Sequence, residues 1–396
     1  MIKEALAAQK EGWRFTPHEA LSGPRFEPAG LPAAQPPLGG RVLCPVGFHR
    51  VALVNGRLEP KHSLLKLPPG VRVESLADAT DADAVLLARP AGADLPLAAI
   101  ATSTAKDGIV IRVARHTRVD KPIHLIHLAE SSANRAESAH ARVLIVLEPG
   151  AHAEIVEEYS SFGGAPFWTN VRSQVLLEEG SSLKHYRVVR EGEYGRLTVA
   201  VEAEVGAHAR YESHAFNLGG AFAREDARVK MAGPGADASF NGLALLAGSE
   251  LADHHTVVEH ATVGGTTRQL YKAVLDDKSR FVFDGLIQVN PGAQKTDAQV
   301  YNKNLLLSED ARVNTNPEFK ISADDVSCKH GGAVGQMSQE ALFYLRSRGV
   351  GAEEARRLLV YAFGSEMIDR VTLEPLRAAL ADALHGRTPE AAEAKS

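Results

Sequence analysis

The residues best able to do chemistry lie between Asn316 and Val350, in NPEFKISADDVSCKHGGAVGQMSQEALFYLRSRGV. Its first part alternates as a strand does, with Phe319, Ile321 and Ala323 on one face and Lys320, Ser322 and Asp324 on the other. Its last part has helical spacing. The junction between them, 324–332, gathers carboxylate, thiol, amine and imidazole groups. If the strand runs on to His330, Cys328 and His330 share a face, with Cβ atoms roughly 7 Å apart. Rotamer choice could then bring both to one metal ion, the thiolate as soft ligand and the imidazole as borderline one. A closed metal or cluster site takes about four protein donors. The chain has no Cys-x-x-Cys and no further Cys/His cluster, so the remaining donors would come from another chain. The competing reading is structural: a strand-end cysteine that packs as a small hydrophobe, and a histidine bonded to backbone.

Other constellations carry less. His254, His255, Glu259 and His260 suggest metal-ligand spacing, but in a strand His254 and His260 stand roughly 20 Å apart on one face, too far to chelate one ion. The sixteen histidines are spread along the chain, and most are expected on the outward side of strands. Gly331-Gly332-Ala333-Val334-Gly335 lacks the dinucleotide pattern and no G-x-x-x-x-G-K-[ST] occurs, so no nucleotide is expected to bind to this chain. A G-x-S-x-G nucleophile elbow is missing as well. Asp276, Asp277 and Asp284 with Lys278 and Arg280 come nearest to the acid cluster of a solenoid carbohydrate-active enzyme, and read more simply as a charged turn. Tyr344, Arg346 and Arg348 combine aromatic and basic character near the turn between two helices, which suits a protein interface.

These groups need elements to hold them, and the elements change character along the chain. Residues 1–107 read as an N-terminal helical and α/β cap: a helical start (Ile2, Leu6, Ala7), the linker LPAAQPPLGG, short strands with Asn55-Gly56 as a hairpin turn, and an α/β element from Asp78. Residues 108–335 carry strand after strand with a recurring turn, as in LEPGAHAEI, LEEGSSLKH, AEVGAHARY and AGPGADASF. Their glycines Gly150, Gly180, Gly206 and Gly235 are 30, 26 and 29 residues apart. That spacing suits one coil of a parallel β-solenoid, whose coils bury side chains only by stacking and so need a cover at each end. The flanking regions are expected to supply both covers; a β-sandwich is the rival architecture. Residues 336–387 read as a C-terminal helical domain, with Ser338 as N-cap and Gly349 as a stop, and 388–396 as a disordered tail.

Composition sets limits. A net charge of −5 gives no footprint for nucleic acid. No apolar run approaches the roughly 20 residues of a membrane span, and MIKEALAAQKEGW lacks a signal peptide's apolar core. The two cysteines, Cys328 and an apolar Cys44 read as packing, form no disulfide framework. A cytoplasmic protein is expected.

The run ADDVSCKHGGAVGQMSQEALFYLRSRGV, with LLVYAFGSEMIDRV after it, resembles the C-terminal signature of the SufB/SufD family of iron–sulfur cluster assembly scaffolds, in its SufD form. A weaker likeness reaches back through FDGLIQVNPGAQKTDAQVYNKNLLLSEDA and to PLAAIATSTAKDGIVIRV. The cysteine-containing stretch of SufB is absent. One departure is local: Ala98 to Ser103 fill a segment where the family usually shows an Asn. The resemblance implies a mainly β fold, a right-handed parallel β-helix core with an N-terminal α/β cap and a C-terminal helical domain. It implies a non-enzymatic scaffold that pairs with SufB and the ATPase SufC, or with a second copy of itself when SufB is absent. Iron or a nascent Fe-S cluster would sit at the subunit interface, with His330 matching the family's interface histidine and Cys328 a cysteine two residues before it. SufC docking is expected on the helices, at Tyr344, Arg346 and Arg348. The alternatives are the carbohydrate-active solenoid and a purely structural interaction protein.

Overall fold

The computed structural model describes residues 11–31, 47–132 and 134–386, together with Ile2, Leu6, Leu38, Val42 and Leu43. The readings placed on Ala7, on Cys44, on most of the Pro/Gly linker and on the tail 388–396 fall outside these residues.

The core is a parallel β-solenoid of about eight turns. Each coil gives one strand to each of two ten-stranded sheets, and strands of alternate sequence order pair in register. In every strand the side chains alternate between a shared lumen and the outside. The main apolar core fills the lumen, with rows such as Ile145–Val175–Ala203–Val229 lying directly over one another.

One corner of the coil explains the repeat. His116, Gly150, Gly180, His208, Gly235, Gly264 and Lys295 all have left-handed backbone, φ between 54° and 73°. The N–H of each of the first six donates to the carbonyl just before the next coil's corner residue, as Gly150 to Glu179 at 2.9 Å and Gly180 to Ala207 at 2.9 Å, and that of Lys295 to Asp325 in the last turn. Glycine takes this conformation without strain. The expected Gly206 is not the corner residue; His208, two positions on, holds the left-handed turn (φ 54°).

The N-terminal end is covered by strands that belong to the sheets themselves. His49–Val54 pairs in parallel with Ile123–Glu130 and turns back through Asn55 and Gly56, both at positive φ, to Arg57–Leu58. This is the expected hairpin turn, and it places solenoid pairing well before residue 108. Val71–Ser75 runs antiparallel to Asp107–Val113. Helices α1 (Asp81–Leu87) and α2 (Pro96–Thr104) follow, and α2 lies against the outer face of one sheet, where Asn170 Nδ2 donates to the Leu97 carbonyl at 2.9 Å.

The C-terminal end differs from expectation. Helices α3 (Gln339–Ser347), α4 (Ala352–Ile368) and α5 (Glu374–Gly386) do not cover the last coil. They lie on the outer face of the other sheet, where Val360, Met367, Leu376, Leu380 and Leu384 join outward residues Tyr186, Phe216, Leu243 and Leu270 in a second apolar cluster. The outward strand positions are apolar there, and the helices remove them from water. Among the described residues no helix is long and apolar enough to cross a membrane.

Candidate functional site

The candidate site lies at the uncovered end. Arg312–Ile321 is the last strand of one sheet and Ser327–Gln336 the last strand of the other. The 316–336 region is thus not one strand running into a helix: a turn at 322–326 divides it into the two strands of the final coil. Glycine-rich SCKHGGAVGQ has weak strand propensity, but parallel pairing with Asp297–Leu306 overrides it. The register sets Cys328 beside Ala298 and His330 beside Val300, both fully buried lumen residues. Cys328 and His330 therefore share a face, as the spacing predicted, and that face is the lumen. Among the described residues no coil lies above them, so Cys328 is half-buried and His330 exposed.

The two groups differ in chemistry. Burial pushes the Cys328 thiol up, the Asp297 carboxylate adds to this, and a backbone hydrogen bond at Ala298 opposes it. Less thiolate is present near neutrality than for a free cysteine. The His330 ring stands edge-to-face with Phe319, centroids 5.2 Å apart and planes at 87°. Among the described residues neither His330 nitrogen has a hydrogen-bond partner, which leaves both open to a ligand. No group of three or more His, Cys, Asp or Glu among the described residues could hold a metal ion. What this chain presents at the open end is two donors.

Tyr344, Arg346 and Arg348 lie on or just after α3. Ser338 Oγ accepts the Ala341 N–H at 3.2 Å and Gly349 ends the helix at φ 87°, as read from the sequence. No residue of α3 is buried; Tyr344 is 58% exposed, with the Arg348 guanidinium 5.4 Å from its ring centre. The neighbouring Phe343, 73% exposed, is a larger apolar group that sequence reasoning passed over. Its signal was an aromatic off the Leu342/Leu345 face.

Helix α4 and the turn after it are fixed to the sheet by polar contacts. Buried Lys272 donates to the Phe363 carbonyl at 2.9 Å and pairs with Glu366 at 2.5 Å, while Arg370 donates to Asn241 at 2.7 Å.

The lumen holds what the sequence hid. His127, His185, His254 and His260 point inward and are buried. Glu157 accepts from His127 at 2.9 Å and His185 at 3.0 Å; Arg187 pairs with Glu225 at 2.5 Å and donates to Ser213 at 2.9 Å. Burial alone would raise the Glu157 carboxyl, but its two histidine partners outweigh this and hold it well below the usual range. His254 and His260 lie on one strand as expected, each with its own surroundings: Tyr271 and Phe281 around His254, Thr267 on His260 at 2.9 Å. Asp276 and Asp277 bond to corner backbone, the charged turn that was read there. A groove of about 300 Å³ between Leu86–Pro90 and the outer sheet face is crossed by the pairs Arg89–Glu204 and Arg172–Glu202 and lies away from Cys328 and His330.

Comparison with known proteins bears on this arrangement. Residues 128–363 match the family model described as the SUF system FeS cluster assembly, SufBD core domain. The chain is 31% identical to the iron–sulfur cluster assembly protein SufD of Escherichia coli over 95% of its own length and 88% of that protein's. It is 29% identical to a SufBD family iron–sulfur cluster assembly protein of Synechocystis, over 96% of this chain and 86% of the relative. The SufD of Bacillus subtilis is 26% identical over 71% of this chain and 64% of the relative. The matched core spans the central and final coils and reaches into α4, so the open coil end and the helical flank fall within the likeness, and the chain belongs to the SufBD family of iron–sulfur cluster assembly proteins, as a SufD-type member.

Proposed function

We propose that this chain is a non-enzymatic, cytoplasmic scaffold subunit, with iron or a nascent cluster as cargo at its open coil end. The observation that carries this reading is the final coil. Among the described residues both sheets stop there with an unpaired edge, and the lumen row is left bare, with Ile321 44% and Val334 49% exposed. Such edges are templates for strand addition by another chain. The fitting partner is SufB, a solenoid with an edge of its own; a second copy of this chain serves when SufB is absent. Pairing would close the lumen over His330 and Cys328. His330, with free nitrogens, is this chain's principal donor, and Cys328, whose thiol is pushed up, contributes less. The other donors come from the partner, since two cannot complete a site.

The second contact is with the ATPase SufC. Exposed Phe343 and Tyr344 with Arg346 and Arg348 form an aromatic and basic patch of the kind that anchors interfaces. Removing the helices to test this would expose the outer cluster around Tyr186 and Phe216, so point variants are the sounder probe. Nucleotide chemistry belongs to SufC in this reading.

The test is co-expression with candidate SufB and SufC, followed by iron and sulfide analysis of the purified complex. His330→Ala should keep the complex and lose most bound iron, while Cys328→Ser should lose less. Iron in His330→Ala equal to wild type, at equal stoichiometry, would refute the role given to this residue. A complex that forms but never holds iron would favour the purely structural alternative.

A further inference from the structure

The wall of the lumen mouth opposite His330 is formed by Phe319. Its register partner one coil below, Ile287, is fully buried, so the phenyl ring stands on a filled floor. His330 stands on Val300, also fully buried, in the facing sheet. The two rings meet with centroids 5.2 Å apart and planes at 87°. Among the described residues Phe319 is the only aromatic neighbour of His330. The chain after His330 offers no buttress, because Gly331 and Gly332 follow. Nor could a larger residue be placed at 331 freely, since a Cβ there would stand 3.2 Å from the Tyr301 ring.

An exposed imidazole with two rotatable bonds and no hydrogen bond samples several rotamers, and each one that points away from a ligand site lowers apparent affinity. A perpendicular aromatic neighbour favours one of them. We infer that Phe319 is a positioning residue, holding the His330 ring in the orientation that presents a nitrogen to whatever enters the closed mouth. This rests on the reading of His330 as an iron ligand. It adds that the ligand is preorganised by this chain before any partner arrives.

The experiment has two arms. In the first, the full-length chain alone carries histidine labelled at its ring carbon, and the His330 signal is identified by its loss in His330→Ala. Phe319→Leu should move that signal to the position of a freely exposed histidine, and Phe319→Tyr, which keeps the ring, should not. In the second, complexes with SufB and SufC of equal stoichiometry are loaded with ferrous iron and sulfide. Phe319→Leu should hold about fivefold less iron, the weight of one aromatic edge contact, and Phe319→Tyr should restore it. An unmoved His330 signal in Phe319→Leu, or wild-type iron there while His330→Ala is depleted, overturns the inference and leaves the ligand reading standing. Wild-type iron in His330→Ala overturns the ligand reading itself.

Discussion

Cys328 and His330 differ in surroundings although they lie two residues apart on one strand. Cys328 reaches into the packed part of the lumen, beside Asp297, and its thiol is pushed up. In a Cys44→Ser background, alkylation of Cys328 should run several-fold slower than that of an unstructured cysteine at pH 7 and accelerate as pH rises past the ordinary thiol range. A rate equal to that of the unfolded chain would contradict the packing described. A different residue, Glu191, contributes to the pH dependence of stability. Glu191 is buried where glycines Gly195 and Gly220 crowd its side chain, and neither carboxyl oxygen has a hydrogen-bond partner among the described residues; burial pushes its carboxyl up to about 7. Its unfolded value is near 4.5, so the folded state binds the extra proton between the two. Stability from this group is therefore present at low pH and is lost as pH rises from about 4.5 to 7, by up to ~3 kcal/mol. Glu191→Gln should raise the denaturant midpoint at pH 8 and change it little at pH 4.5. The Cys-x-His pair could be read in the sequence because its two residues are neighbours. The lumen pairs could not be: Glu157 meets His127 and His185 only through stacking, and their strands carry apolar residues on both faces.

At the scale of elements, the corner turns and the helical flank make separable claims. Gly150 and Gly180 share the left-handed conformation, φ 67° and 65°, but a Cβ on Gly150 would stand 2.5 Å from His116 Nδ1, whereas at Gly180 nothing lies within 4 Å. Both alanine variants should destabilise, Gly180→Ala by ~1 kcal/mol from backbone strain alone and Gly150→Ala by more; equal losses in urea titrations would remove the steric contribution. On the flank, Lys272→Met deletes the donor to Phe363 and the partner of Glu366. It should cost ~1–3 kcal/mol and speed proteolytic release of α4 and α5, which a wild-type cleavage rate would disprove. Phe343→Glu should alter stability by less than ~0.5 kcal/mol because the ring is 73% exposed, yet weaken SufC binding. The helices, their cap at Ser338 and stop at Gly349 were legible in local spacing. Where they pack was not, because an apolar helix face does not say whether it meets a coil end or a sheet face.

For the whole molecule, the repeat spacing was enough to predict a solenoid, since each coil must return to the same corner hydrogen bond. The asymmetry of its two ends was not. Sheet strands cover the N-terminal end, and nothing in the described chain covers the other. Without SufB the chain should self-associate through that end, and Ile321→Lys with Val334→Lys should shift the sedimentation coefficient to that of the monomer; an unchanged dimer would place the contact elsewhere. The position of the helical flank has a further consequence. Helix α4 rests on the strands Asp237–Leu246 and Thr266–Leu275, and only Asp297–Leu306 and Ser327–Gln336 lie beyond them in that sheet. With strands about 4.8 Å apart, the flank and the mouth are neighbours, separated by roughly 10 Å of rigid sheet. A motor seated on the helices would need no relay through the protein to reach the cargo: tilting the whole solenoid a few degrees would already change how its rim meets the facing rim.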